Sequence, residues 1–142
     1  MKIRSAAISN RLKPVLVDLI SQTQKGCLKG RYIGEYTRLI FDLIEKREED
    51  DIPGLLVLLD FEKAFDAVEW SFLYKTLQFW GFGESVCSWI KTFYNDISSC
   101  IINNRNCSDY FKLGRGVRQK VPLSPYLFIL VLVLLAAALK KR

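Results

Sequence analysis

Five apolar residues, Leu55, Leu56, Val57, Leu58 and Leu59, run straight into the carboxylate of Asp60. A short apolar run, preceded here by the turn residues Pro53 and Gly54, predicts a strand buried on both faces, at the centre of a sheet. Asp60 stands where the apolar cover stops. A carboxylate at a strand end either caps the turn that follows or binds a cation, and Mg²⁺ takes hard oxygen ligands, usually one or two carboxylates plus substrate phosphates.

The rest of the chain reads as helices and one hairpin around that strand. Residues 8–21 carry Ile8, Leu12, Val15, Leu16, Leu19 and Ile20 at helical spacing, with Pro14 inside as a kink or a new first turn. Residues 22–31 hold two glycines and three cations, and read as a loop. Residues 32–46 predict an amphipathic helix packed on the sheet. The acidic run 48–51 is read as a solvated turn, since adjacent carboxylates repel one another. Asp66 and Glu69 have the spacing of a capping box before the stripe Phe72, Leu73, Leu77 and Trp80, so Asp66 is expected to cap that helix, and Gly81 to end it. A further helix carries Val86, Trp89, Ile90 and Phe93 as core. Residues 98–103 and 107–113 flank the turn chemistry of Asn103, Asn104, Arg105 and Asn106 and predict a β-hairpin. Ser124 and Pro125 open a last apolar helix, about residues 126–139.

Composition removes several kinds of chemistry. The chain of 142 residues has no His, which excludes Ser-His-Asp and Cys-His catalysis. Its cysteines, Cys27, Cys87, Cys100 and Cys107, lack ligand-like pairing, so a zinc site is not expected. The polar start, Met1-Lys2-Ile3-Arg4, is not that of a signal peptide, and reduced, buried thiols are expected. Residues 101–142 carry eight cations and one acid, which points to phosphate or an anionic membrane surface, the alternative being ordinary surface solubility. Residues 126–139 are uncharged and followed by Lys140, Lys141 and Arg142, the pattern of a membrane tail anchor. At 1.5 Å per residue they span only ~21 Å, against the ~30 Å of a hydrocarbon core, so membrane insertion is the less favoured alternative.

The segment Leu59-Asp60-Phe61-Glu62-Lys63-Ala64-Phe65-Asp66, with Trp70 following, resembles the first catalytic block of non-LTR (LINE-type) retrotransposon reverse transcriptases. Gly116-Val117-Arg118-Gln119-Lys120-Val121-Pro122-Leu123-Ser124-Pro125 is similar to that family's next block, which reads Arg-Gln-Gly-x-Pro-Leu-Ser-Pro. The loop with Gln24, Gly26, Gly30 and Arg31 is similar to one between two finger helices of the family. The resemblance implies an α+β fold, a partial fingers-palm with a central strand, a β-hairpin and packing helices. Residues 1–54 would belong to the fingers and residues 55–142 to the palm. It also implies RNA-directed DNA polymerase ancestry, with an RNA template and a DNA primer as partners, Mg²⁺ as cofactor, and nuclear or cytoplasmic work.

The same resemblance implies residue roles. Asp60, with the Phe61 carbonyl, would hold the metal. Phe65 would exclude a ribose 2′-OH, its alternative role being core packing. Arg118, Gln119 and Ser124 would contact substrate, Ser124 alternatively capping the last helix. Lys25, Lys29, Arg31 and Arg115 would touch nucleic-acid phosphates, the alternative being solvated basic loops. Lys120 replaces the block's glycine, and is expected either to block close approach of the backbone or to strain it. In-line nucleotide transfer needs several converging carboxylates, and the family's later Tyr-x-Asp-Asp hairpin has no match here. The chain alone is therefore expected to show no primer extension, which leaves two other readings, a non-catalytic nucleic-acid-binding module and a degenerate remnant with no selected function. Mg²⁺-dependent extension that vanished in Asp60→Ala would overturn that expectation.

Overall fold

The computed structural model describes residues 2–140. It contains five helices and one long hairpin. Helix α1 is Lys2–Leu19, α2 is Gly34–Glu49, α3 is Trp70–Phe79, α4 is Glu84–Tyr94 and α5 is Ser124–Lys140. Strands β1 (Ser98–Ser99), β2 (Ile102–Asn103), β3 (Asn106–Cys107) and β4 (Phe111–Lys112) lie between α4 and α5.

Helix α5 is the hub, and α3 and α1 pack on it, with α4 on α3. The core joins Leu12 and Leu16 of α1, Leu73 and Leu77 of α3, Ile90 of α4, and Leu123, Leu127 and Leu130 around α5. It therefore draws on both sides of the boundary at residues 54 and 55. Helical spacing picked out Leu12, Leu16, Leu73, Leu77 and Ile90, but Val15, Phe72 and Trp89 of the same stripes are exposed rather than core. Helix α1 runs as one element through Pro14. It is closed by Arg31, whose guanidinium donates to the carbonyls of Val17 (3.1 Å), Ile20 (2.9 Å), Ser21 (2.7 Å) and Gln24 (2.7 Å). A cation at a helix C-terminus satisfies orphan carbonyls and opposes the helix dipole. Gly81, at φ +77°, ends α3 as expected.

The hairpin is antiparallel in two short ladders. Ser98 faces Lys112 and Ser99 faces Phe111; nearer the tip, Ile102 faces Cys107 and Asn103 faces Asn106. Asn104 and Arg105 form the two-residue turn with φ of 51° and 66°, the positive pair that a type I′ hairpin turn needs.

Several expectations are corrected. Of the thiols expected to be buried only Cys87 is; Cys27 and Cys107 are exposed and Cys100 is half-buried. Residues 55–59 are not a central strand: they form no regular secondary structure, and their side chains are 53% to 88% exposed. A buried strand needs neighbours for its N–H and C=O groups, and among the described residues no strand pairs with this run. Helix α2 forms, but it is not packed on a sheet and buries none of its residues. Its Leu43 and Ile44 line an open cleft with Ile52, Leu55 and Leu56. Asp66 does not cap α3. That helix starts at Trp70 with Glu69 at its N-cap and no side-chain cap, because Glu69 is held extended in a bridge with Arg115.

No helix among the described residues is long and apolar enough to cross a membrane. The first half of α5 is instead core, with Leu127, Ile129 and Leu130 buried.

Candidate functional site

The two sequence blocks, about fifty residues apart, meet in space. The Gly116 amide donates to the Val68 carbonyl at 2.7 Å, and the Val117 amide to the Phe65 carbonyl at 2.8 Å. The Trp70 indole N–H donates to the Gly116 carbonyl at 2.8 Å. The Gln119 amide nitrogen donates to Asp66 Oδ1 at 3.3 Å. The turn after Asp60 makes this possible: the amides of Asp66 and Ala67 both donate to the Lys63 carbonyl (2.8 and 3.0 Å), which swings Phe65 and Val68 toward the second block. Gly116 sits at φ +95°, and a Cβ there would meet the Asp66 carbonyl oxygen at 3.3 Å. The second glycine of the Gly-x-Gly loop is thus the close-approach residue.

Asp60 is exposed, and its Oδ1 accepts the Phe61 amide at 2.9 Å. That hydrogen bond orients the carboxylate. Phe65 is half-buried, and its ring stacks on Phe128 of α5 at 4.8 Å between centroids. Asp66, Trp70, Arg115, Gly116, Arg118 and Gln119, from the two blocks, line a cleft of about 310 Å³. Arg118 and Gln119 are exposed at its rim.

Ser124 plays a different part from a cap. Its hydroxyl donates backward to the Arg118 carbonyl, tying the start of α5 to the second-block loop. The α5 amides turn instead to Leu123, whose carbonyl accepts from Tyr126 and Leu127.

Tyr94 completes this knot, and sequence reasoning did not single it out. It is buried at the end of α4, its ring 5.6 Å from that of Trp70. Burial pushes its phenol up to about 12, a rise moderated by hydrogen bonds to the Ser124 side chain and the Arg118 backbone. The sequence signal was an aromatic residue in the last turn of a helix, which is indistinguishable from ordinary core. The unfolded chain ionises this group near 10.0, before the folded one does, so stability is full below that pH and lost as the pH rises through about 12. The loss at the top of this window is on the order of 2–3 kcal/mol. Tyr94→Phe is expected to flatten that alkaline decline, read by urea denaturation at pH 9 to 12.

Lys120, where the similar family block has glycine, lies at φ +58°. It keeps the left-handed backbone that glycine adopts without strain, so the expectation of strain holds here. Lys120→Gly is expected to raise stability by on the order of 1 kcal/mol, the left-handed penalty less the entropy glycine adds to the unfolded chain. Lys120→Ala should leave the urea midpoint nearly unchanged.

Of the candidate phosphate contacts, Arg115 borders the cleft. Lys29 is exposed in the loop after α1. Lys25 pairs with Glu35, and Arg31 closes α1. Among the described residues no group of three His, Cys, Asp or Glu side chains could hold a metal ion.

The model of the reverse transcriptase (RNA-dependent DNA polymerase) family matches residues 1–142. The chain belongs to the reverse transcriptase family. It is 36% identical over 141 residues to the Transposon TX1 uncharacterized 149 kDa protein of Xenopus laevis, covering 99% of this chain and 11% of that protein. It is 33% identical over 94 residues to the Retrovirus-related Pol polyprotein from type-2 retrotransposable element R2DM of Drosophila melanogaster, covering 66% and 9%. It is 34% identical over 95 residues to the Retrovirus-related Pol polyprotein from type-1 retrotransposable element R2 of Popillia japonica, covering 66% and 13%. These relatives are non-LTR elements, and this reverse transcriptase chain spans about a tenth of their length.

Proposed function

We propose that this chain supplies the first-carboxylate and substrate-loop portion of an RNA-directed DNA polymerase site, acting on an RNA template and a DNA primer. The observation that carries the reading is the hydrogen-bonded docking of residues 116–119 onto residues 65–70. It brings the basic, polar rim of the second block beside the turn that follows Asp60.

The reverse transcriptase family uses divalent metal ions. The donors here fit one Mg²⁺ ion sharing its shell with substrate phosphates: an exposed carboxylate, Asp60, and the adjoining Phe61 carbonyl. They do not fit two ions by themselves. When bound, such an ion stabilises charge on the phosphoryl oxygens. Asp60 is pre-oriented for this by its bond from the Phe61 amide. Phe65 serves as the sugar gate in this reading, supported by the stacking of its ring on Phe128, which holds it rigid. Arg118 and Gln119 contact the incoming nucleotide from the cleft rim. Ser124 acts on substrate through the Arg118 carbonyl it holds. Arg115 and Lys29 hold backbone phosphates, which fix position without reading sequence. Lys25 and Arg31 add charge to the same loop while serving the fold.

The test is binding of a fluorescent RNA–DNA hybrid at two salt concentrations. Neutralising one phosphate-binding cation reduces the steepness of log affinity against log salt by roughly 1. Arg115→Gln combined with Lys29→Gln is expected to lower the slope by about 2. Unchanged affinity and slope would sink the phosphate roles.

A further inference from the structure

The hairpin between α4 and the second block carries two of the four cysteines. In the β2–β3 ladder Cys107 faces Ile102. Side chains alternate across a ribbon, so Cys100, two residues before Ile102, projects on the same face as Cys107. The two thiols are therefore diagonal neighbours on that face, near enough to influence one another. Cys107 is exposed and Cys100 half-buried, so both are open to a small reagent. The other two cysteines differ. Cys27 is exposed on a separate loop, and Cys87 is buried in α4 with its thiol donating to the Phe82 carbonyl at 3.5 Å.

A disulfide needs its Cα atoms within about 7 Å, whereas diagonal neighbours on an intact ladder stand about 7–8 Å apart. The ladder here is irregular beside the pair. Residues 100–101 and 108–110 belong to no strand; the Ser108 amide donates to the Ile101 carbonyl at 2.9 Å, but the Ile101 amide donates to the Ser108 hydroxyl rather than to the backbone opposite. The arms can therefore close by a small twist without losing β1–β4 or β2–β3 pairing.

We propose that Cys100 and Cys107 form a dithiol modification site, reactive toward low-molecular-weight disulfides of the glutathione type and ending as a disulfide across the hairpin. A Cys thiolate attacks one sulfur of the reagent. The reagent's S–S bond breaks, one reagent thiolate leaves and takes up a proton, and a mixed disulfide remains. The neighbouring thiol then gives up its proton and attacks the protein sulfur of that mixed disulfide, expelling the second reagent thiol. Two protein thiols are oxidised and one reagent disulfide is reduced to two thiols. Either thiol can make the first attack, and its neighbour then resolves the mixed disulfide. The product ring encloses the tip residues Asn104 and Arg105 and fixes the outer half of the hairpin.

The experiment treats the full chain with oxidised glutathione, quenches with acid, and reads intact mass and tryptic peptides. A Cys27→Ser background removes the other exposed thiol. The expected product is lighter by about 2 Da, with Cys87 still free. Trypsin cleaves after Arg105, so the two fragments stay joined only by the Cys100–Cys107 bond. Cys107→Ser is expected to stop at a stable glutathione adduct on Cys100. Ring closure should exceed accumulation of double adducts by roughly tenfold or more, because the neighbouring thiol is present at high effective concentration. Glutathione adducts on both cysteines with no joined fragments, or no reaction at either, would overturn the proposal. Because both residues lie on the open hairpin, a circular-dichroism melt of each variant separates loss of reactivity from loss of fold.

Discussion

Gly116→Ala is expected to release the second-block loop from the first. The glycine sits at φ +95°, and an added Cβ would meet the Asp66 carbonyl oxygen at 3.3 Å and its Cα at 3.4 Å. Both neighbours are backbone, so neither yields as a flexible side chain would. The left-handed penalty alone is about 1–2 kcal/mol, and tight backbone contact adds to it. Against this stand three main-chain or indole hydrogen bonds, Gly116 to Val68, Val117 to Phe65 and Trp70 to Gly116. A net loss on the order of 2 kcal/mol should speed hydrogen exchange at the Gly116 and Val117 amides by roughly 30-fold, with α3 and α5 amides little changed. Exchange at those two amides as slow as in the parent chain would show that the loop is held by something other than this close approach.

The largest stability effect is expected at Leu127. It is fully buried on α5, the helix on which α1 and α3 pack. Leu127→Ala removes buried methyl groups and leaves a cavity, at about 2–5 kcal/mol. Domains of this size hold only ~5–15 kcal/mol in total, so the variant is expected to be partly or wholly unfolded at 37 °C. Leu139→Ala, on the exposed end of the same helix, should stay within about 0.5 kcal/mol. Urea midpoints of the two variants provide the check. Equal midpoints would mean that α5 is not the hub of the core.

Helical periodicity made α3 and α4 legible, because Leu73 and Leu77 share one face of α3 and Ile90 stands in the stripe of α4, while Asn104 and Arg105 carry the turn chemistry of the hairpin. Residues 55–59 misled for a physical reason. An apolar run reports that a segment favours burial, while a strand also requires a hydrogen-bonding neighbour, and none of the described residues supplies one. Helix α2 shows the same limit: its apolar stripe is real, and the surface it was expected to cover is not the one it meets. At the site, the two blocks were readable through their resemblance to a known family, which is what named Asp60, Arg118 and Gln119 as candidates. Their mutual docking through Gly116 and Trp70, the diversion of Asp66 from capping, and the Tyr94–Ser124–Arg118 knot depend on distant residues meeting in space. No local pattern carries those. Arg31 shows the converse, a cation whose type suggested phosphate and whose geometry closes a helix.

Under the proposed function, both blocks form one nucleotide-binding surface with Asp60 as its metal ligand. The most direct measurement is Mn²⁺-induced broadening of assigned amide resonances in the full chain with a deoxynucleoside triphosphate present. Broadening at Phe61 together with Arg118 and Gln119, and its loss from all three in Asp60→Asn, is the result predicted here. Broadening confined to the acidic run 48–51, or unchanged by Asp60→Asn, would contradict it.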